Sequence, residues 1–403
     1  MKLPNGWKIL RIDDLVTIRE GQVSPLKAPY RTQLHIGADN IASGGGLLSG
    51  LQTCEELGLI SGKYRFTPGA IIYSKIRPNL NKVCLIDFEG VCSADAYPLY
   101  AKDEVADSLF LVHSLRGPRF LQQAIAVSVR SGMPKINRED LSCIDLPIPP
   151  LPEQRKIADI LSTWDEALET LDALIAAKTR QKQALMQQLL TGKTRMKGAK
   201  GKWKKVRMGE VLERVFRPIE WHADLPLNLV SLRRRCGGLF RRPDVKGSEY
   251  KTQDLHEIRA GDFLISKRQV VHGAWGYVTP EFEGGHVSKE YAILDNRAPD
   301  KLHMPFFAWL AQTRRLIRLA RVSSTGVHIE KLIFDPVVFL RESIRIPTDL
   351  AEQQRIAAIL DTADQELTLL RTQRQTLDQQ KRGLMQRLLT GRIRVTPTPE
   401  SNV

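Results

Sequence analysis

Residues 153–192 read EQRKIADILSTWDEALETLDALIAAKTRQKQALMQQLLTG, and residues 352–391 read EQQRIAAILDTADQELTLLRTQRQTLDQQKRGLMQRLLTG. The two copies are 199 residues apart, and 19 of their 40 aligned positions are identical. A self-match at one fixed offset indicates a repeated structural unit. Each copy has the composition and periodicity of a long helix, and the rest of the chain is interpreted around this pair.

Apolar residues in both copies follow alternating spacings of four and three residues. This spacing places them in one narrow stripe, which a helix buries against a second helix in a coiled coil. The apolar positions of the predicted seam are Ile157, Leu161, Trp164, Leu168, Leu171, Leu185 and Leu189 in the first copy and Ile356, Leu360, Leu367, Leu370, Leu384 and Leu388 in the second. Two long core helices without such a seam are the plainer alternative.

Charge along the two helices predicts how they pair. Each copy is acidic in its first half and basic in its second half. Parallel helices would place like charges together, whereas antiparallel helices place each acidic half against a basic half. We therefore expect an antiparallel pair. Aligned midpoints would put Lys381 near Trp164 and Lys182 near Ala363, with both ammonium groups kept near solvent.

Two segments of about 145 residues precede the helices, and they are distant copies of each other. Residues 68–75 read PGAIIYSK and residues 260–267 read AGDFLISK, each a turn glycine followed by an apolar strand. Ser131-Gly132 is echoed in the same way by Thr325-Gly326. Strand-like runs alternate with helical patterns, such as the one at 306–320, so we expect each segment to be a mixed α/β globule.

The sequence thus predicts a mixed α/β (α+β) fold. Two homologous globular domains are separated by two long helices that form an antiparallel coiled coil, which makes a pseudo-twofold internal repeat. The expected boundaries are 1–147 for the first globule, 148–198 for the first helix, 199–345 for the second globule, 346–395 for the second helix and 396–403 for a disordered tail.

The charge of the chain favours a polyanionic partner. Its 403 residues carry a formal net charge of +15, of which +9 lies in residues 201–345. For a basic chain, nucleic acid is the first candidate. No apolar run approaches the roughly 18 residues of a membrane-spanning helix, and the first residues lack an apolar signal segment. We therefore expect no membrane association and a cytoplasmic location.

The sequence contains no residue pattern typical of a catalytic or metal site. Gly192-Lys193-Thr194 resembles the end of a phosphate-binding loop but closes a helix instead of opening one. Pro243-Asp244 with Glu249-Tyr250-Lys251 resembles a nuclease signature, yet its acidic residues are too close together. The five cysteines form no close pair, and the eight histidines follow no ligand spacing. We expect no catalytic residue, no metal and no cofactor in this chain.

Binding chemistry concentrates at two matching loops, each following the strand of the repeated PGAIIYSK or AGDFLISK segment. Arginine can donate in a fork to guanine, side-chain amides can pair with adenine, and any cation can contact phosphate. Each side chain taken singly fits a solvated polar loop equally well, but recurrence at matching positions favours DNA binding. The candidates are Ser74, Lys75, Arg77, Asn79, Asn81 and Lys82 in the first globule, and Arg233, Arg234, Arg235, Arg241, Arg242, Ser266, Lys267, Arg268, Gln269 and His272, with Trp275 beside them, in the second.

The order globule, helix, globule, helix resembles the specificity subunit (HsdS) of type I restriction-modification systems. The resemblance is carried by the EQxxIAxIL helix starts at 153–161 and 352–360, the LMQxLLTG ends at 185–192 and 384–391, and the proline-containing segments before the helices. It implies that the globules are target-recognition domains, each reading half of a bipartite double-stranded DNA sequence. The helices would space these domains and dock the other subunits.

The resemblance also implies partners and their cofactors. Two methylation subunits (HsdM) would carry S-adenosylmethionine and methylate adenine at N6, and restriction subunits (HsdR) would add cleavage that requires ATP and magnesium. The chain itself would be non-catalytic. A seam from 157 to 189 would be about 48 Å long at 1.5 Å per residue, or roughly 14 base pairs of duplex.

Two other interpretations remain open at this point. The first is a coiled-coil adaptor whose globules bind protein and whose basic charge is incidental. The second is an enzyme with its own nuclease or methyltransferase site. A steep salt dependence of DNA affinity separates DNA binding from the adaptor, and activity of the isolated chain would identify an enzyme.

Overall fold

The computed structural model describes residues 3–46, 49–128 and 133–396. The repeated pair Ser131-Gly132 and all but the first residue of the tail predicted at 396–403 lie outside these ranges.

The described residues form two compact units. Unit 1 is Met1–Ala173 with Thr372–Val403, and unit 2 is Leu174–Arg371. Each unit therefore combines one globule with a part of both long helices. The linear domain boundaries stay a prediction, because compactness divides the chain within the helices instead of at their ends.

Unit 1 is built from short strands and short helices. Its strands are β1 Lys8–Arg11, β2 Val16–Ile18, β3 Gln22–Val23, β4 Leu34–Ile36, β5 Gln52–Thr53, β6 Lys63–Phe66, β7 Ile71–Ser74, β8 Val83–Leu85, β9 Gly90–Cys92, β10 Ala96–Ala101 and β11 Asp145–Ile148. Its helices are α1 Ile12–Leu15, α2 Ser108–Arg116, α3 Pro118–Ser128 and α4 Arg138–Ser142, and the long helix α5 Leu151–Leu189 begins in it.

Two sheets and a closing pair of strands organise unit 1. The first sheet has the order β2-β10-β7-β8 and the second the order β3-β6-β9-β4-β5. Strand β1 pairs antiparallel with β11, so that Lys8 lies opposite Ile148 and Arg11 opposite Asp145. This pairing brings the two ends of the globule together directly before α5.

Unit 2 continues the chain with its own strands and helices. Its strands are β12 Trp203–Arg207, β13 Leu212–Val215, β14 Pro226–Leu227, β15 Val230–Leu232, β16 Leu239–Arg241, β17 Val245–Lys246, β18 Leu255–Ile258, β19 Phe263–Ser266, β20 Trp275–Tyr277, β21 Gly285–Ser288, β22 Tyr291–Asn296, β23 Ser324–Thr325, β24 Ile333–Phe334 and β25 Ser343–Pro347. Its helices are α6 Met304–Ala311, α7 Arg314–Val322 and α8 Pro336–Arg341, and the long helix α9 Leu350–Leu388 begins in it.

Unit 2 repeats the framework of unit 1. The order β13-β22-β19-β20 corresponds to β2-β10-β7-β8, and the closing pair β12–β25 corresponds to β1–β11. Helices α6 and α7 occupy the places of α2 and α3 in the chain order. Where unit 1 has its five-stranded sheet, unit 2 has two-stranded ribbons such as β15–β16 and β18–β21. The predicted repeat of mixed α/β globules is confirmed by the shared strand order.

The long helices pair antiparallel in unit 1. Lys381 near the end of α9 forms an ion pair with Asp165 in the first half of α5. Arg374 of α9 lies 3.0 Å from Asp172 of α5. The basic end of one helix therefore meets the acidic beginning of the other.

The same pairing recurs in unit 2 with the helices in exchanged roles. Lys182 near the end of α5 forms an ion pair with Asp364 of α9. Lys178 lies 2.6 Å from Glu366. The antiparallel arrangement predicted from the order of charges is confirmed in both units.

The expectation that both seam lysines keep their ammonium groups near solvent is wrong for Lys381. Its side chain is only 9% exposed, and that of Lys182 is 17% exposed. Each ammonium group forms an ion pair with a carboxylate of the partner helix. The residue that meets Lys381 is Asp165, which directly follows the expected neighbour Trp164, and Asp364 plays the same part for Lys182.

Burial along the seam is greatest where each helix begins. The fully buried members are Ile157, Leu161, Ile356 and Leu360, the nearly buried ones are Leu168, Leu171, Leu189, Leu367 and Leu388, and the half-buried ones are Trp164, Leu185, Leu370 and Leu384. At their beginnings the helices pack into the main cores of the two units. Within the described ranges, no helix is both long and apolar enough to cross a membrane.

The glutamate that opens each repeat is buried and anchors the end of the partner helix. In unit 1, Glu153 accepts hydrogen bonds from Nε and Nη2 of Arg394 at 2.7 and 2.8 Å. In unit 2, Glu352 accepts the same two bonds from Arg195 at 2.7 and 2.8 Å. Such bidentate pairs are charge-assisted and geometrically demanding. The basic residues after each closing glycine therefore hold the start of the other helix.

The glutamine that follows satisfies backbone groups of the globule. Gln154 donates from Nε2 to the carbonyl oxygens of Val105 and Pro149 at 2.9 Å each, and its Oε1 accepts from the amide of Asp107. Gln353 makes the equivalent three bonds in unit 2, to Lys301, Pro347 and His303. Because unpaired backbone groups are costly to bury, the EQ dipeptide explains how helix and globule stay joined.

Candidate nucleic-acid interface

The candidate loop of unit 1 follows β7 and is held by buried polar side chains. Ser74 is buried, and its Oγ donates to the carbonyl oxygen of Ile76 at 3.3 Å. Asn81 is buried as well, and its Nδ2 donates to the carbonyl oxygen of Arg116 at 2.9 Å. The structure places both candidates inside the protein, where they shape the loop.

Two lysines of this loop already have partners within the protein. The Nζ of Lys75 lies 3.8 Å from Asp95, and its side chain is 12% exposed. Burial, and then the nearby charge of Lys135, lower the pKa of Lys75 below its ordinary value. Lys82 donates from Nζ to the carbonyl oxygen of Ala38 at 2.6 Å. A phosphate would have to replace these contacts.

Arg77 and Asn79 are the exposed candidates of the loop. Arg77 has a left-handed backbone with φ of 49°. Its amide donates to the carbonyl oxygen of Pro134 at 2.8 Å, and its carbonyl oxygen accepts from the amide of Leu80 at 2.9 Å. Neither side chain forms a hydrogen bond or ion pair to any residue in the described ranges. A free guanidinium and a free amide on a constrained loop suit the edges of bases.

The matching loop of unit 2 follows β19 and has the same backbone frame. The amide of Phe334 donates to the carbonyl oxygen of Lys267 at 2.9 Å, as the amide of Ile136 does to that of Lys75 at 2.9 Å in unit 1. Lys267 is half-buried, and its Nζ donates to the carbonyl oxygen of Lys289. Burial lowers the pKa of Lys267, as it does for Lys75.

The other members of this loop differ in how far they reach the surface. Ser266 is half-buried, while Arg268 is exposed and pairs with Glu290. Trp275 is only 2% exposed and belongs to the main core of unit 2. The structure therefore places Trp275 beneath the loop and leaves Arg268 on its surface.

The structure brings together two groups of candidates that are about 35 residues apart in sequence. The turn between β15 and β16 lies against the loop after β19, where the amide of Arg235 donates to the carbonyl oxygen of His272 at 2.7 Å. The Nε of Arg234 donates to Oε1 of Gln269 at 2.7 Å. The upstream arginines and the loop thus form one surface.

A glycine permits this close approach. Gly273 has φ of +70°, and a Cβ there would lie 3.2 Å from the backbone nitrogen of Cys236. That nitrogen donates to the carbonyl oxygen of Gly273 at 2.8 Å. A side chain at this position would be strained and would push the β15–β16 turn away from the loop.

Three exposed arginines on or beside this hairpin lie over aromatic rings. The guanidinium carbons and ring centres are separated by 4.7 Å for Arg233 and Phe240, 5.8 Å for Arg241 and Phe282, and 5.6 Å for Arg242 and Tyr250. Stacking orients a guanidinium plane and leaves its N–H edge for phosphate or base. Arg241 also donates to the carbonyl oxygen of Glu281.

A further group of exposed arginines was not among the candidates predicted from sequence. They lie on α7 and are Arg314, Arg315, Arg318 and Arg321. The first three belong to the helical pattern predicted at 306–320, which contains none of the DNA-binding candidates. The spacing i, i+4 and i+7 of three of them, opposite apolar positions, is the sequence signal that identifies a charged helix face.

Comparison with known proteins gives matches over both part and nearly all of the chain. Residues 4–177 match the family described as type I restriction modification DNA specificity domain. The chain is 43% identical over 155 residues to the type I restriction enzyme EcoDI specificity subunit of Escherichia coli. This match covers 38% of this chain and 34% of that protein. The chain is also 24% identical over 435 residues to the type I restriction enzyme MjaVIII specificity subunit of Methanocaldococcus jannaschii. This match covers 98% of this chain and 95% of that protein.

Solved structures share the fold over nearly the whole chain. The S subunit of a type I restriction-modification system from M. genitalium gives a TM-score of 0.62 at 16% identity, covering 96% of this chain and 98% of that one. A chain solved in a study of assembly and conformational transition of the type I R-M system gives a TM-score of 0.61 at 22% identity. The match covers 98% of this chain and 100% of that one. Residues 4–177 thus match the type I restriction modification DNA specificity domain, and nearly the whole chain shares the fold of these solved structures.

Proposed function

We propose that this chain reads a bipartite double-stranded DNA target for a type I restriction-modification complex, with one half-site read by each unit. The observation that carries the proposal is the pair of loops after β7 and β19. They follow corresponding strands of two sheets with the same order, and each presents guanidinium and amide groups.

In unit 1, Arg77 and Asn79 are the proposed base-reading residues. An arginine can donate two parallel bonds to O6 and N7 of guanine, and an asparagine can pair with N6 and N7 of adenine. The buried bonds of Ser74 and Asn81 hold the loop before DNA arrives. A loop ordered in advance loses less conformational freedom on binding.

In unit 2, the surface formed by the β15–β16 turn and the loop after β19 is the proposed reader. Arg234 and Gln269 are joined by a hydrogen bond and offer a guanidinium and an amide side by side. The arginines stacked on aromatic rings are assigned to phosphates, because stacking fixes the planes of their guanidinium groups. The two units present different groups, so the two half-sites are expected to differ in sequence.

The long helices are proposed to set the spacer between the half-sites and to dock the other subunits. Two methylation subunits would hold S-adenosylmethionine, and restriction subunits would use ATP and magnesium. The chain would contribute recognition, with adenine methylation and DNA cleavage left to these partners. A protein that reads genomic DNA of a bacterium or archaeon is expected in the cytoplasm.

The test is long-read mapping of methylated adenines in cells that express the chain with its methylation subunit. The wild type should produce one bipartite motif. The double variant Arg77→Ala/Asn79→Ala should relax one half of the motif, and Arg234→Ala/Gln269→Ala should relax the other half. Arg11→Ala, an exposed arginine on β1 of unit 1, is the matched control and should leave the motif unchanged. An undivided motif, or loss of both halves in either double variant, would contradict the proposal.

The adaptor interpretation and the DNA-binding proposal predict different salt dependences of DNA affinity. Affinity of the assembled complex for DNA should fall steeply with ionic strength if phosphate contacts carry it. A flat salt dependence would favour globules that bind protein.

A further inference from the structure

The outer face of α7 is lined with arginine. Its four exposed arginines are Arg314, Arg315, Arg318 and Arg321. At about 100° per residue, three of them, at the first, fifth and eighth positions of the helix, fall within about 60° of one another. The buried residues Leu316 and Ala320 lie on the opposite side. We call this surface the α7 arginine face, and its three central arginines extend about 10 Å along the helix.

Among the residues that the structure describes, no carboxylate lies within ion-pair distance of the α7 arginine face. In the part of the chain that the structure describes, none of the four arginines forms a hydrogen bond or an ion pair through its side chain. Like charges three or four positions apart on a helix repel each other. Elsewhere in unit 2 an exposed arginine such as Arg268 is paired, in this case with Glu290. An uncompensated arginine surface of this kind is suited to a polyanion.

The α7 arginine face is fixed to the proposed reading loop of unit 2. Helix α7 packs beside the turn Val270–His272, which belongs to that loop. Val270 and Leu316 share one buried cluster. After α7 the chain returns to the loop through the β23–β24 ribbon, where Phe334 bonds the backbone of Lys267. Helix α7 and the loop are therefore packed against one buried core and held in fixed positions.

Unit 1 has a corresponding helix, α3, which has one arginine at the positions of the α7 arginine face. The residues of α3 at the four corresponding positions, 196 residues earlier, are Pro118, Arg119, Gln122 and Ile125. The one arginine among them already has a partner, because its Nη2 lies 3.4 Å from Oδ2 of Asp145. The shared fold therefore does not require arginine on this helix face.

We propose that the α7 arginine face binds the phosphate backbone of the duplex beside the half-site that unit 2 reads. This inference rests on the proposed function and adds an asymmetry to it: unit 2 supplies the larger sequence-independent part of the DNA affinity. About 10 Å of arginine face corresponds to roughly three base pairs at 3.4 Å per pair. Phosphate contacts position a protein without specifying sequence, so the face adds affinity and leaves the motif unchanged.

The experiment compares the triple variant Arg314→Gln/Arg318→Gln/Arg321→Gln with the wild type, each co-purified with its methylation subunits. The probes are a duplex that carries the motif mapped in cells and an unrelated duplex of the same length. We expect affinity for both duplexes to fall roughly ten- to a hundredfold near physiological salt, and the slope of log affinity against log salt to fall by roughly two to three. The methylated motif should not change.

The matched control removes the same charge elsewhere in unit 2. Lys204→Gln/Lys205→Gln/Arg345→Gln alters three exposed residues on β12 and β25, and its salt slope should stay within about one unit of the wild type. An unchanged slope in the α7 variant, or an equal loss in the control, would overturn the inference. So would loss of the methylation subunits from the α7 variant, because the face would then bind protein. Failure of the proposed function is distinguishable, since the wild-type complex would then show no preference for its motif.

Discussion

Units 1 and 2 share the framework that holds their loops and differ in the surface around those loops. Both have the same four-stranded order, the same closing strand pair and the same buried glutamine, Gln154 or Gln353. Around the loops, unit 1 has a five-stranded sheet and a helix α3 with a single arginine, whereas unit 2 has two-stranded ribbons and the α7 arginine face. The parts that repeat are those that position the loops, and in unit 2 the diverging parts include the β15–β16 turn and the α7 arginine face, which are proposed to bind DNA.

The two units also differ where each globule meets the helix seam. In unit 1, the buried His113 lies 3.2 Å from Ser162 through Nε2 and 3.8 Å from Asp165 through Nδ1. In unit 2, Trp309 stands at the corresponding position, and its Nε1 donates to Oδ1 of Asp361 at 2.7 Å. The same seam is therefore supported by a titratable group in one unit and by a tryptophan in the other.

The largest effect is expected from the seam residues that both units bury. Leu168→Ala and Leu367→Ala should each lower the free energy of unfolding by about 2–5 kcal/mol, since each leaves a cavity at the helix interface. Leu367, 2% exposed against 7% for Leu168, should give the larger loss. Urea unfolding of the full chain measures it. Leu369→Ala, at a position 71% exposed, is the control, and a Leu367 variant that unfolds like this control would mean that the seam is not packed.

The two seam ion pairs should differ in strength although they occupy equivalent positions. Asp165→Ala leaves the buried ammonium group of Lys381 without its partner and should cost about 3 kcal/mol. Asp364→Ala should cost about 1 kcal/mol, because Lys182 is more exposed and lies 4.6 Å from the centre of the Trp309 ring. Equal losses in urea unfolding would show that burial of the lysine does not decide the strength of the pair.

Acid should affect unit 1 through His113. Burial lowers the pKa of His113 to about 4, although Asp165 opposes the shift, and in the unfolded chain the value is about 6.5. Because the folded state resists protonation, this contribution to stability is complete above about pH 6.5 and is lost as the pH falls towards 4. The loss is on the order of 2–3 kcal/mol. His113→Gln should flatten this part of the pH profile of urea unfolding, and profiles that stay parallel between pH 7 and 4.5 would contradict it.

The sequence predicted the helices closely because their signals are local. The repeats at 153–192 and 352–391 correspond to helices at Leu151–Leu189 and Leu350–Leu388, and the order of charges was sufficient to predict the antiparallel pairing. Heptad spacing and charge order act within a few turns of helix, so they can be read without the tertiary structure.

The roles of loop residues could not be predicted in the same way. Asn79 and Asn81 are two positions apart and chemically identical, yet one is exposed and the other bonds the backbone of Arg116. Only the packing of α2 against the loop decides between them. The burial of Lys381 was missed for a similar reason, because the depth of the seam depends on the globule that packs beside it. The α7 arginine face could have been predicted, because the i, i+4 and i+7 spacing of its arginines is visible in the sequence.

In the proposed function, each unit reads its own half of a bipartite target. The most direct measurement exchanges residues 1–147 for the corresponding segment of another family member and maps methylated adenines by long-read sequencing in cells that also express the methylation subunit. We expect one half of the motif to change while the other half and the spacer stay the same. A change in both halves, or in the spacer alone, would contradict it.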